Sequence, residues 1–122
     1  MNDPASITDT ISGYHAHIYF RDESERARAL ALRDKLEAGF EVRLGRVWDK
    51  PVGPHPIPMY QIAFAAGQFA AVVPFLMLAR DGLSVLVHPE TGDDLADHSA
   101  HALWLGAALP LDLDILRRLT GG

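Results

Sequence analysis

The order in which two side-chain periodicities follow one another constrains this chain most. Residues 14–20 alternate in the manner of a strand, and from about Asp22 to Gly39 apolar residues recur at helical spacing. Alternation returns over residues 40–48 and again over 59–64, a second helical stretch covers 68–79, and a continuously apolar strand follows at 83–87. The order is strand, helix, strand, strand, helix, strand. Each strand needs a cover for its apolar face, and antiparallel neighbours can be joined by short connections. The arrangement that meets both demands is an α+β fold, a ferredoxin-like split βαβ sandwich (βαββαβ) with an antiparallel sheet and both helices on one face. The other face is left for a ligand cleft or a partner subunit, so a homodimer is expected.

Local signals set the expected boundaries. Acidic residues follow a start at Asp22 or Ser24, Gly39 stops the first helix, and Ala27, Leu30, Ala31, Leu36 and Ala38 are its expected buried stripe. In residues 40–48, Phe40, Val42 and Leu44 face one way and Glu41 and Arg43 the other, with a break near Gly45. Residues 49–58 hold Pro51, Gly53, Pro54, Pro56 and Pro58 and read as a stiff loop. The second helix is apolar nearly all round, hence well covered, with a kink or an end at Pro74. Asp81-Gly82 is a turn, residues 88–99 a polar loop, 101–106 a short extended segment and 111–119 a small helix. Residues 1–12 read as a loose arm on a single domain spanning 1–122.

Composition narrows the function classes. A chain of 122 residues, 48% hydrophobic, has enough apolar surface for a core. A formal charge of −5 argues against nucleic acid as a partner. The first ten residues lack a signal-peptide pattern, and the longest apolar stretch is too short to span a bilayer and contains Pro74. With no cysteine, disulfides and thiolate metal sites are excluded, and a cytoplasmic protein without membrane contact is expected.

The six histidines fall in three clusters. His15 and His17, at i and i+2 on a strand, point the same way at roughly 6.5–7 Å between Cα atoms, which lets two imidazoles lean onto one cation. Tyr19 shares that face, and Ala16, Ile18 and Phe20 take the helix side. His55 lies between Pro54 and Pro56, a rigid mount suited to an acid/base or substrate-contacting group. His88 caps the fourth strand and opens an acidic loop that runs through Glu90 and Asp97 to His98. Either carboxylate could complete a two-His-one-carboxylate site, or the site is all-histidine. His101 is the bystander of the six.

Together, Tyr14-His15-Ala16-His17-Ile18-Tyr19-Phe20, Gly53-Pro54-His55-Pro56 and His88-Pro89-Glu90-Thr91-Gly92 followed by Asp97-His98 resemble the small DOPA 4,5-dioxygenase family of fungi and bacteria. The resemblance runs from about residue 14 to about residue 113 and includes Trp104-Leu105-Gly106. It implies a ferredoxin-like fold and extradiol opening of a catechol such as DOPA by O₂ at a histidine-held non-haem metal, Fe(II) by expectation, with zinc, nickel or copper as substitutes that imidazole also suits. On that reading His15, His17 and His88 are the metal ligands, His55 and His98 the catalytic acid/base residues, and Tyr19 and Gln61 substrate contacts. The rival readings are a non-catalytic module that binds a metal or an aromatic ligand on the same fold, and a cofactor-independent oxygenase.

Overall fold

The computed structural model describes residues 3–119. Its five strands are β1 (Tyr14–Tyr19), β2 (Arg43–Trp48), β3 (Met59–Phe64), β4 (Val85–Pro89) and β5 (Leu103–Leu105). They form one antiparallel sheet in the order β2-β3-β1-β4-β5. The longer helices are α1 (Glu23–Gly39) and α2 (Phe69–Ala79), and the short ones α3 (Asp94–Asp97) and α4 (Leu113–Leu119). The first four strands and α1 and α2 make the expected ferredoxin-like sandwich, and β5 extends it beyond β4.

Alternation on β1 sends Ala16 and Ile18 to the helix side, where they pack with Tyr60, Ile62, Val85 and Val87 against Ala29, Leu32 and Leu36 of α1 and Val72, Val73 and Leu76 of α2. Tyr60 adds a polar tie: its buried hydroxyl donates to the Ala29 carbonyl at 2.7 Å. Helix α1 begins where Asp22 accepts from the Glu25 N–H at 2.8 Å while the Glu25 carboxylate accepts from the Arg21 N–H at 2.9 Å. This reciprocal arrangement closes two otherwise unmade donors.

Several boundaries differ from the sequence reading. The buried stripe of α1 is Ala29, Leu32 and Leu36, whereas Ala27, Ala31 and Ala38 are exposed. Alanine is small enough for either face, so an alanine-rich helix has a weakly defined phase. Strand β2 starts at Arg43, and its register with β3 shifts between Leu44 and Val47, at the break expected near Gly45. Helix α2 carries Pro74 inside it and is not fully covered: Leu78 is 91% exposed. Residues Pro4–Thr10 form a 3₁₀ helix capped by Asp3, every residue of it exposed. Among the described residues no helix is long and apolar enough to cross a membrane.

The far face of the sheet is only half open. Around Tyr19, Met59 and Leu86 it is roofed by Trp48, Val52, Ile57, Trp104, Leu109 and Leu111, which come from the proline-rich loop, the strand edges and the segment after β5. A hydrogen bond from the Asp112 N–H to the Pro54 carbonyl, 2.8 Å, joins the two covering segments. The uncovered half holds His15 and its neighbours.

Candidate functional site

Five imidazoles meet on this face. His15 and His17 come from β1, and His88 stands directly opposite His15 in the β1–β4 register. His88 thus lies within β4, because the strand continues to Pro89 rather than ending at Val87. His55 arrives from the proline-rich loop, where Gly53 takes a positive φ of 54° and the His55 N–H donates to the Val52 carbonyl at 3.0 Å. That tight turn drives the ring inward, and His55 is 6% exposed where a surface loop histidine would be wet.

His98 reaches the group by a route hidden in the sequence. The stretch expected to be an irregular polar loop contains α3, whose cap Asp93 accepts from the Ala96 N–H at 3.1 Å. The turn places the His98 ring 4.1 Å from that of His88, centroid to centroid. His101 stays outside: its Nδ1 meets Asp97 Oδ1 at 3.0 Å. Asp97 is fully buried and also accepts from the N–H and hydroxyl of Thr91, at 2.9 and 2.7 Å. Burial opposes its ionisation, but the bonds from Thr91 and His101 outweigh this and hold the carboxyl below its ordinary value.

Second partners aim three of the rings. His88 Nδ1 lies 3.0 Å from the Pro89 carbonyl, His98 Nδ1 2.7 Å from the Asp94 carbonyl, and His15 Nδ1 3.0 Å from Glu90 Oε1. Each acceptor takes an Nδ1–H, so each Nε2 is left with a lone pair. Glu90 and Asp97, the two carboxylates considered as ligands, therefore serve as partners of His15 and His101. Among the described residues the groups able to hold a metal ion are all-histidine: His15 with His17 and His88, and His17 with His55 and His98, their nitrogens within 4.8 Å of one another.

His17 belongs to both groups and is 2% exposed. Its Nε2 faces His88 Nε2 at 3.1 Å, and its Nδ1 is buried without a hydrogen-bond partner. A cation held by two imidazoles at about 2.1 Å and near right angles separates their nitrogens by about 3 Å, so the donor set fits a metal. Without one, His17 leaves a buried nitrogen unsatisfied whichever tautomer it adopts.

Electrostatics favour the neutral form of His15, His17, His55 and His88. Burial, then the neighbouring imidazoles, holds His17 well below the ordinary histidine value. Burial and then His98 and His88 lower His55 to about 3. Burial, opposed by the bond to Pro89 and reinforced by His98 and His15, lowers His88 to about 4. His15 is lowered by burial, then by the charges of His98 and Arg43. Neutral imidazole is the form that binds metal. Below the cluster Tyr19 is buried against Trp104, and its hydroxyl lies 2.7 Å from His55 Nδ1. Burial pushes the Tyr19 hydroxyl well up, so it stays protonated and donates to His55. Gln61, half-buried, sits opposite His17 in the β1–β3 register.

Sequence reasoning gathered the cluster histidines but missed most of what aims them. The carbonyls of Pro89 and Asp94 are main-chain groups and carry no residue-type signal. Arg43, read as one of the polar residues of β2, lies across Ala63 from His15; a cross-strand register, available only from the fold, is what relates the two.

Fold and site together define a class, a ferredoxin-like α+β protein whose sheet carries a buried histidine cluster able to hold a metal ion. The model of the Dopa 4,5-dioxygenase family matches residues 14–115, and the chain belongs to that family. It is similar to a DOPA 4,5-dioxygenase of Amanita muscaria, 40% identical over 120 residues, covering 91% of this chain and 53% of that protein. An uncharacterized 21.2 kDa protein of Botryotinia fuckeliana is 39% identical over 117 residues, covering 87% of this chain and 64% of that one. The chain thus spans between about half and two-thirds of these relatives' length. A crystal structure of a candidate dioxygenase from Nostoc punctiforme superposes with a TM-score of 0.90 at 55% identity, covering 98% of this chain and 99% of that one.

Proposed function

We propose that the chain is an extradiol ring-cleaving dioxygenase that opens a catechol such as DOPA with O₂. The observation that carries the reading is the convergence of His15, His17 and His88: Glu90 and the Pro89 carbonyl occupy Nδ1 of His15 and His88 and leave their Nε2 lone pairs free, and His17 Nε2 lies 3.1 Å from His88 Nε2. Family membership supports the oxygenase class.

In this reading His15, His17 and His88 hold the metal. When bound, a non-haem ion, Fe(II) here, supplies the Lewis acidity and electron exchange that reaction of a catechol with O₂ requires. Both atoms of O₂ enter the product, the ring bond beside the diol breaks, and no external reductant is consumed. The chain's own residues move the protons. Tyr19 donates to His55 Nδ1, so neutral His55 carries its proton on Nε2 and presents a donor rather than a lone pair to the cluster. This favours His55 as acid over His55 as ligand. His98, half-buried with its Nδ1 tied to Asp94, is placed to pass protons between the cluster and solvent. Tyr19, expected as a direct substrate contact, acts through His55, and Gln61 is left as the polar group on the cluster's flank.

The test is to load the protein with Fe(II) without oxygen, then add L-DOPA in air. Equimolar loss of O₂ and DOPA with a yellow ring-opened product is the expected result. Tight metal binding with no turnover across a panel of catechols would mean a binding module instead. Cleavage that survives exhaustive chelation would remove the metal from the reaction.

A further inference from the structure

Arg43, Ala63, His15 and His88 stand in one row across β2, β3, β1 and β4, on the uncovered half of the sheet. Neighbouring strands lie about 4.8 Å apart, which puts the Arg43 Cα roughly 9.5 Å from that of His15. Between them the only side chain is the methyl group of Ala63. The floor is therefore low and apolar, with a histidine at one end and a guanidinium at the other. Above it opens a cleft of about 650 Å³ that Glu41 and Glu90 also line, ample for a single-ring ligand. Among the described residues Arg43 is exposed, and its side chain has no ion pair or hydrogen bond.

We propose that this row is the substrate tray and that Arg43 and Glu41 set specificity for a catechol carrying an α-amino-acid tail. The ring lies over Ala63 with its diol toward His15, and the tail carboxylate pairs with Arg43. An aromatic amino acid is about as long as the Arg43–His15 span, so one molecule reaches both ends. Glu41 precedes Arg43 by two residues and faces the same cleft, giving the ammonium group a carboxylate. A tail bearing only negative charge would meet the repulsion of Glu41 and Glu90, so the mixed signs favour a zwitterion. The assignment rests on the dioxygenase reading for its diol end and on the cleft alone for its tail end.

Three catechols separate the contributions in the Fe(II)-loaded protein: L-DOPA, dihydrocaffeate, which lacks the ammonium, and 4-methylcatechol, which lacks the whole tail. Arg43→Ala should lower the kcat/KM ratio of L-DOPA to 4-methylcatechol by about ten- to a hundredfold, mainly through KM, with partial recovery in Arg43→Lys. Glu41→Gln should lower the ratio of L-DOPA to dihydrocaffeate by about three- to tenfold. Ratios that stay at their wild-type values in both variants overturn the proposal while leaving the dioxygenase reading intact. If the wild type cleaves no catechol, that reading fails, and calorimetric binding of L-tyrosine against 4-methylphenol still decides the tail site. Weaker tyrosine binding in Arg43→Ala then supports it, and equal binding overturns it.

Discussion

His17 carries a buried Nδ1 that nothing in the described structure satisfies, while its Nε2 confronts another imidazole nitrogen. No other histidine of the cluster combines both features, which makes His17 the residue on which metal retention should turn. His17→Ala is expected to retain less than about a tenth of the wild-type metal and to lose ring cleavage at least a hundredfold, while circular dichroism still reports the native fold. Metal analysis and activity check it together, and an active, metal-replete variant would remove His17 from the site. Glu90→Gln probes the next layer, because it weakens the acceptor on His15 Nδ1 and leaves every imidazole in place. Metal affinity should fall about ten- to a hundredfold, measured by competition with a chromophoric chelator. The histidines themselves were legible in the sequence, since period two on β1 put His15 and His17 on one side. Their hydrogen-bond partners were not, because two of the three are main-chain carbonyls supplied by the fold.

At the scale of elements, the strands were legible where apolar residues alternate or run unbroken, as in β1, β3 and β4. The phase of α1 was not, because alanines at 27, 29, 31 and 38 satisfy two rotations of the helix about equally. Helix α3 was missed since Gly92 and four acids nearby resemble a solvated turn; its start depends on one capping bond from the Ala96 N–H to the Asp93 carboxylate. Loops here do positional work. The turn Val52–His55 needs a left-handed backbone at Gly53, so Gly53→Ala should cost about 1 kcal/mol in denaturant unfolding. It should also slow turnover by shifting His55, without lowering metal content if His15, His17 and His88 are the ligands. Loss of metal in Gly53→Ala would instead favour the triad of His17, His55 and His98.

For the molecule as a whole, the buried neutral histidines tie stability to pH. The unfolded chain takes up protons on them near the ordinary value of 6.5, whereas folded His88 and His55 resist until about 4 and 3. The unfolded state therefore binds more protons below pH 6.5, and stability, full above that value, falls as pH drops toward 4 and 3. Each such histidine contributes on the order of 1.4 kcal/mol per pH unit within the window. Urea midpoints of metal-free protein should decline steadily on acidification from neutrality, and a flat profile would mean that the rings are not buried neutral. Added metal should raise the unfolding free energy at pH 7 by about 2.7 kcal/mol at a hundredfold excess over Kd, moving the midpoint up, and lose that effect in acid. The overall layering was legible from element order, but the half-cover of the sheet was not, because it depends on loop paths that no periodicity encodes.

The sheet ends at both sides on strands that are poor guides for another. Strand β5 has only three residues, and β2 breaks its register between Leu44 and Val47. Hydrogen bonds offered along such hems do not line up with a stranger's backbone. Contacts between copies would then fall to side chains, and the exposed large apolar ones among the described residues are Leu78 and Met77 on α2, Ile7 and Leu103. Short and broken margins of this kind disfavour edge-to-edge pairing between copies.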